Sequence, residues 1–307
     1  MEIGIKDVAS YIPSEGIDNI EQGHNFGESR EFVESKLGPY FLPRKSSDQD
    51  CSDLCAAAIE NLESQNENFD KNNVQLVVVV TQNGDEEKLP HTAALVQKKA
   101  GLPKSVAAFD LSLGCSGYVN GLYAVKGFMQ AAGFENALLI TSDPYSKIIN
   151  PNDRTTAMLF GDAATVTWIG PQPKFKIGMA LFGTDGHGAD ALRVKDGIFS
   201  MNGRQVFNFA SINVPKQIKE LLTKCEYDES DIDAYILHQG SAAIIDAIAK
   251  RFSQPERFIK DIGSTGNTVS SSIPLLIERY AMNSDWNKIV LSGFGVGLSW
   301  SSAIIYK

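Results

Sequence analysis

Three segments of the first half of the chain recur, in the same order, in the second half. Asp233-Ala234-Tyr235-Ile236-Leu237-His238-Gln239-Gly240 echoes the apolar run beginning at Val74 and its polar exit, Thr81-Gln82-Asn83-Gly84. Phe258 to Asn267 echoes Phe109 to Cys115: a short strand, an Asp, a small-residue turn, then a helix. Ile289-Val290-Leu291-Ser292-Gly293-Phe294 echoes the apolar run around Leu138. Any α/β protein repeats strand–loop–helix units, and that remains one explanation. The other is a duplicated α/β domain, halves 1–170 and 171–307, each bringing loops to one central site. No Pro- or Ser-rich linker separates the halves, so they are expected to form one rigid body.

The remaining elements follow from local pattern. Residues 3–11 read as a first strand closing at Pro13, and residues 28–37 as a helix within a polar, irregular stretch. Residues 53–62 read as a helix with Leu54, Ala58 and Ile59 inward. Residues 74–80 form a β-branched run of the kind found in strands buried on both faces. Pro90 opens a helix that runs to Gly101. Residues 136–142 read as another buried strand, and residues 164–169 as an alternating one.

Cys115 sits where residues 106–109 turn into a helix whose apolar face carries Val119, Leu122, Tyr123, Phe128 and Met129 and which ends near Gly133. Unpaired N–H groups and the positive end of the helix dipole favour a thiolate there, while Gly114, Ser116 and Gly117 leave room for other groups. A free cysteine is otherwise a small buried hydrophobe. His238, at the end of its strand, would alone be a hydrogen-bonded structural residue, and Asn267 would alone be a helix cap. If the halves stack on a pseudo-twofold axis, the three meet. A thiolate, an imidazole donor and an amide donor then suit acyl capture at sulfur and support of an enolate oxyanion. The Gly293-Phe294-Gly295-Val296-Gly297 loop offers backbone N–H groups for a second oxyanion hole, or is an ordinary turn.

A net charge of −9 argues against general nucleic-acid binding, and an acidic partner would need a local basic patch. The first residues carry charge where a signal peptide needs an apolar core, and no apolar run reaches the ~20 residues of a membrane span. The four cysteines form no CxxC pair, and Cys51 and Cys55 lack the neighbours of a metal site. A reduced, cytoplasmic protein without a metal is expected.

Taken together, Asp110 to Gly117, Pro151-Asn152-Asp153-Arg154, Phe160-Gly161-Asp162-Ala163-Ala164, Leu237-His238-Gln239, Gly266-Asn267-Thr268 and Gly293 to Gly297 resemble the β-ketoacyl-acyl-carrier-protein synthase III family of the thiolase superfamily. The resemblance runs from the first strand to Ile304. It implies a thiolase-like duplicated αβαβα five-layer sandwich, a homodimer, with Cys115, His238 and Asn267 catalytic. The backbone N–H groups of Cys115 and Val296 would hold an oxyanion. It implies no permanently bound cofactor; coenzyme A or phosphopantetheine thioesters are substrates, an acyl carrier protein is the partner, and a malonyl thioester is the acceptor.

The chain also departs from the family pattern. His-Gln-Ala-Asn becomes His238-Gln239-Gly240-Ser241, and the Arg that follows is Ala243. The Trp and Arg that commonly contact coenzyme A are Phe32 and Lys36, and the aromatic that stops the acyl pocket is Leu89. Phe207 and Arg154 belong to the same substrate-contacting set, and Lys250-Arg251 matches a carrier-docking edge or is a solvated helix face. The implied activity is decarboxylative condensation of a Cys-bound acyl group with a malonyl thioester. The rivals are a non-decarboxylating acyltransferase of the same fold and a non-catalytic partner subunit of a synthase heterodimer; the intact Cys115, His238 and Asn267 speak against both. A thiolase proper needs a second cysteine where Phe294 and Val296 stand.

Overall fold

Aliphatic and β-branched runs form the sheet in the computed structural model, which describes residues 2–85 and 89–307. Among the described residues nine strands form the main sheet: β1 (Ile3–Tyr11), β2 (Leu76–Val80), β3 (Ala107–Leu111), β4 (Ala137–Ser142), β5 (Ala164–Pro171), β6 (Phe175–Thr184), β7 (Ala234–Leu237), β8 (Lys288–Gly295) and β9 (Ser299–Tyr306). Their order is β7-β8-β9-β6-β1-β5-β4-β2-β3. The halves meet where β1 pairs antiparallel with β6, Gly4 opposite Lys176 and Ile5 opposite Phe175.

Outward from that join, both directions run in the same sequence order. β1-β5-β4-β2 on one side matches β6-β9-β8-β7 on the other. β3 continues parallel to β2, and at the equivalent place Phe258 bridges Tyr235 of β7 in parallel. The strand expected around Phe258 is thus reduced to one bridge.

Six helices cover the sheet: α1 (Cys51–Gln65), α2 (Thr92–Lys99), α3 (Gly117–Ala132), α4 (Gly203–Lys224), α5 (Ala242–Ala249) and the short α6 (Ser272–Leu276). Strand alternation decides which helix each residue meets. Val77, Val79, Leu138 and Ile140 face Leu54, Ile59 and Val96 of α1 and α2. Tyr235, Leu237 and Val290 face Ile218 and Leu222 of α4 and Ile244 and Ile248 of α5. The intervening residues of both halves, Val78, Leu139, Ile236 and Leu291, turn to Leu122 and Val125 of α3 and Ile273 and Leu276 of α6. The layers are therefore helix, sheet, helix, sheet, helix, with the central helices shared.

Ends of elements follow local chemistry. Asp50 and Asp53 form a capping box that starts α1 two residues before the expected point. α3 stops at Gly133, whose φ of 71° is the left-handed conformation glycine supplies without a Cβ clash. Residues 28–37 hold only one turn of helix, Arg30–Phe32, before widening into a π turn, Val33–Leu37. The alternation expected for β5 is absent, since Ala164 to Gly170 are all buried. Its polar positions are satisfied internally: Thr165 bonds Thr141 at 2.7 Å, and Thr167 bonds the Tyr118 hydroxyl at 3.2 Å.

Leu122 is fully buried in the layer that both halves share. Leu122→Ala should cost about 2–5 kcal/mol, and urea unfolding monitored by far-UV circular dichroism should show it as a lower midpoint with one transition. A loss below about 1 kcal/mol would contradict tight packing of that layer.

Candidate active site

The nucleophile turn is built from small residues because it is crowded from both halves. Cys115 precedes α3, and the Gly117 N–H donates to the Gly114 carbonyl at 2.7 Å. Ser116 Oγ bonds Ser299 Oγ of β9 at 2.6 Å, and Asn120 Nδ2 donates to the Ser116 carbonyl and to Ser301 Oγ. β8 passes directly against the turn. A Cβ on Gly293 would lie 2.6 Å from the Cys115 carbonyl oxygen, and one on Gly295 would lie 2.8 Å from Cys115 Cβ and Sγ. Only glycine permits that approach.

His238 continues β7 by donating its N–H to the Ser292 carbonyl at 2.8 Å. Its Nδ1 is 2.8 Å from Ser272 Oγ, whose hydroxyl donates to the Val269 carbonyl at 3.1 Å, and its ring meets Phe294 edge-on at 5.4 Å. Burial pulls the imidazole down to about 3, so the ring is neutral. Asn267 is pinned by backbone bonds on both sides, its N–H to Leu159 and its carbonyl from Gly161. Its Oδ1 accepts the Val269 N–H at 2.9 Å, which leaves the Nδ2 donor to face the cavity. Val269 itself has a φ of 53°, a left-handed conformation costly for a β-branched residue, of order 1–3 kcal/mol. The bond from its N–H holds the amide in one orientation.

The thiol is not the thiolate that its helix-start position suggested. Burial, with a further contribution from the charge of Asp143, pushes Cys115 up to about 12, although the N–H groups of Cys115 and Val296 both act on the sulfur in the opposite direction. Desolvation in a site buried on every side outweighs a helix end. Asp143 itself is buried and pushed up to about 7. It accepts from Ser270 Oγ at 2.6 Å, the Gln82 N–H at 2.8 Å and Thr81 Oγ1 at 3.3 Å, tying the loops after β2 and β4 to the Asn267 loop.

Cys115, His238 and Asn267 line one cavity of about 210 Å³. Of the other residues named from the sequence, Phe32, Arg154, Phe207, Ser241 and Val296 line it as well. Lys36 lies outside it, exposed one turn beyond Phe32, and Lys250 and Arg251 are exposed at the end of α5. Leu89 is 85 % exposed and outside the cavity of its own chain. The buried wall is aromatic instead, made by Tyr145, Phe160 and Phe199, three rings too far apart in sequence to be read as a group. Ser241 uses its oxygen on the Ile244 N–H, capping α5. Arg154 is paired with Glu28 and lies over the Phe32 ring at 5.9 Å, so its charge at the mouth is already partnered.

The family described as 3-oxoacyl-[acyl-carrier-protein] synthase III matches residues 109–186, and its C-terminal part matches residues 222–307. The chain is 31% identical to β-ketoacyl-[acyl-carrier-protein] synthase III of Clostridioides difficile (strain 630), covering 98% of this chain and 97% of the relative. It is 30% identical to the protein of the same name from Lactococcus lactis subsp. lactis (strain IL1403), with 98% of each covered. A crystal structure of 3-oxoacyl-(acyl-carrier-protein) synthase III superposes with a TM-score of 0.94 at 30% identity, covering 100% of both chains.

The protonated Cys115 carries a kinetic signature. Alkylation by iodoacetamide should rise about tenfold per pH unit from pH 6 to 9 without a plateau, because only the thiolate reacts. Asp143→Asn should accelerate it only above about pH 7, where the native carboxyl carries charge. A plateau beginning below pH 8 would show that the helix start prevails after all.

Proposed function

The chain belongs to the 3-oxoacyl-[acyl-carrier-protein] synthase III family of condensing enzymes, and on that footing we propose that Cys115, His238 and Asn267 carry the condensation in two half-reactions. The single observation behind this reading is that all three line one cavity, with two backbone N–H groups acting on the sulfur.

In the first half-reaction the Cys115 sulfur attacks an acyl thioester. The carbon–sulfur bond to the carrier breaks, and the proton of Cys115 leaves with the departing thiol. In the second, a malonyl thioester loses carbon dioxide, and the electron pair of the broken carbon–carbon bond passes into an enolate. The enolate oxygen is held by Asn267 Nδ2 and His238 Nε2. For the neutral imidazole to carry its one proton on Nε2, the Ser272 hydroxyl turns from the Val269 carbonyl to Nδ1. The enolate carbon then attacks the acyl carbonyl, whose oxyanion rests on the N–H groups of Cys115 and Val296. Collapse releases the 3-oxoacyl thioester and the Cys115 thiolate, which takes a proton from water. The halves 1–170 and 171–307 work as one body, the first supplying the nucleophile and the second both donors.

Carrier-bound substrates are favoured over coenzyme A by the mouth of the cavity. Arg154 is occupied by Glu28, the Ser241 oxygen caps α5, and Ala243 brings no charge. Lys36 presents an ammonium rather than the flat donor fork of an arginine. Lys250 and Arg251 project from the end of α5 without ion pairs among the described residues, available to an acidic carrier protein. No helix among the described residues is long and apolar enough to cross a membrane, and a cytoplasmic homodimer joined through the free edge of β3 completes the reading.

Two measurements test it. Asn267→Ala should retain acyl uptake at Cys115 while carbon dioxide release from malonyl-carrier protein falls on the order of 100- to 1000-fold; equal loss of both would make Asn267 structural. With matched acyl chains, acyl-carrier protein should load Cys115 faster than acyl-coenzyme A, and Lys250→Glu with Arg251→Glu should slow only the former. A faster coenzyme A donor, indifferent to the charge reversals, would overturn the carrier assignment.

A further inference from the structure

One buried polar side chain in the cavity has no part in the reaction described above. Tyr145 lies just beyond β4 and is 3 % exposed, and its hydroxyl has no hydrogen-bond partner among the described residues. Its ring is wedged between Phe160, with centroids 4.9 Å apart, and Phe199, at 5.0 Å, and those two meet edge-on at 5.5 Å. Three mutually packed rings form a stiff wall. Behind the wall is a second cavity of about 220 Å³, and Tyr145, Leu192, Phe199 and Val296 face both. Burial pushes the phenol well above its ordinary value, with Asp143 and Cys115 adding to the shift, so its oxygen is within electrostatic reach of the nucleophile.

Resting on the condensing-enzyme reading, we infer that Tyr145 determines which acyl group Cys115 accepts: its ring ends the pocket, and its hydroxyl donates to an oxygen carried by the acyl chain. The group that loads best is then short and bears a hydroxyl or oxo oxygen a few atoms from the thioester. A hydroxyl that opens only onto the cavity loses its contact with water when an acyl chain fills that cavity, and the pocket then selects the ligand able to replace that bond. A plain chain of the same length leaves the phenol unpaired. A longer chain must displace the wall to enter the second cavity.

The test compares rates of Cys115 acylation, read by intact-protein mass, from butyryl, 3-hydroxybutyryl and octanoyl thioesters of N-acetylcysteamine. The wild-type protein should take 3-hydroxybutyryl about tenfold faster than butyryl, the worth of one good hydrogen bond, and octanoyl slowest. Tyr145→Phe keeps the ring and its packing, and should equalise the two four-carbon donors while octanoyl stays slow. Tyr145→Ala should open the wall and admit octanoyl. Wild-type rates for butyryl that match 3-hydroxybutyryl, or a ratio unchanged in Tyr145→Phe, would overturn the inference and leave the condensing-enzyme reading standing. Absence of label on Cys115 from every donor would overturn both.

Discussion

The proposed catalytic centre depends on one close approach of main chain to main chain. β8 crosses the nucleophile turn with no side chain between them at Gly293 and Gly295, where any Cβ would press on Cys115. That contact puts the Val296 N–H on the sulfur and anchors the second half of the chain to the first. The serine contacts from Ser116 to Ser299 and from Asn120 to Ser301 hold the same seam a few ångströms away. Remove the approach and the two oxyanion donors separate, because they come from different halves.

Burial then sets the chemistry of the site. It leaves His238 neutral and Cys115 protonated, and it leaves Asp143 titrating near neutrality. A neutral imidazole suits the role proposed for His238, donating to an enolate rather than sitting as a cation beside it. The loop that carries Asn267 is strained at Val269, whose backbone adopts a conformation its side chain disfavours next to the bond from its N–H to Asn267 Oδ1. Such strain persists only where the surrounding structure imposes it. Here Ser270, Ser271 and Ser272 are all buried and bonded to residues of other elements.

Much of this was legible in the sequence because it rests on local periodicity or on repeated local pattern. The repeat showed through as matched strands β2 and β7, and β4 and β8, since both halves solve the same packing problem with the same strand–turn–helix unit. Gly133 and the apolar face of α3 marked their helix for the same reason. What could not be read depends on contacts distant in sequence. The burial of β5 on both faces rests on Thr165 and Thr167 finding hydroxyl partners elsewhere. Desolvation of Cys115 opposes the helix end and comes from residues of both halves, so it is set by the assembled site. Tyr145, Phe160 and Phe199 form the wall from three separate segments, which local pattern does not connect. The Glu28–Arg154 pair and the Ser241 cap likewise became visible only once their partners were placed.

The central claim is that a single oxyanion hole on Cys115 is assembled from both halves of the chain. A crystal structure of the protein acylated at Cys115 tests it most directly. The account predicts the acyl carbonyl oxygen within about 3 Å of both the Cys115 and Val296 backbone nitrogens, with Asn267 Nδ2 and His238 Nε2 left free on the opposite side of the sulfur. An acyl oxygen turned away from Val296, or bonded to Asn267 instead, would contradict it.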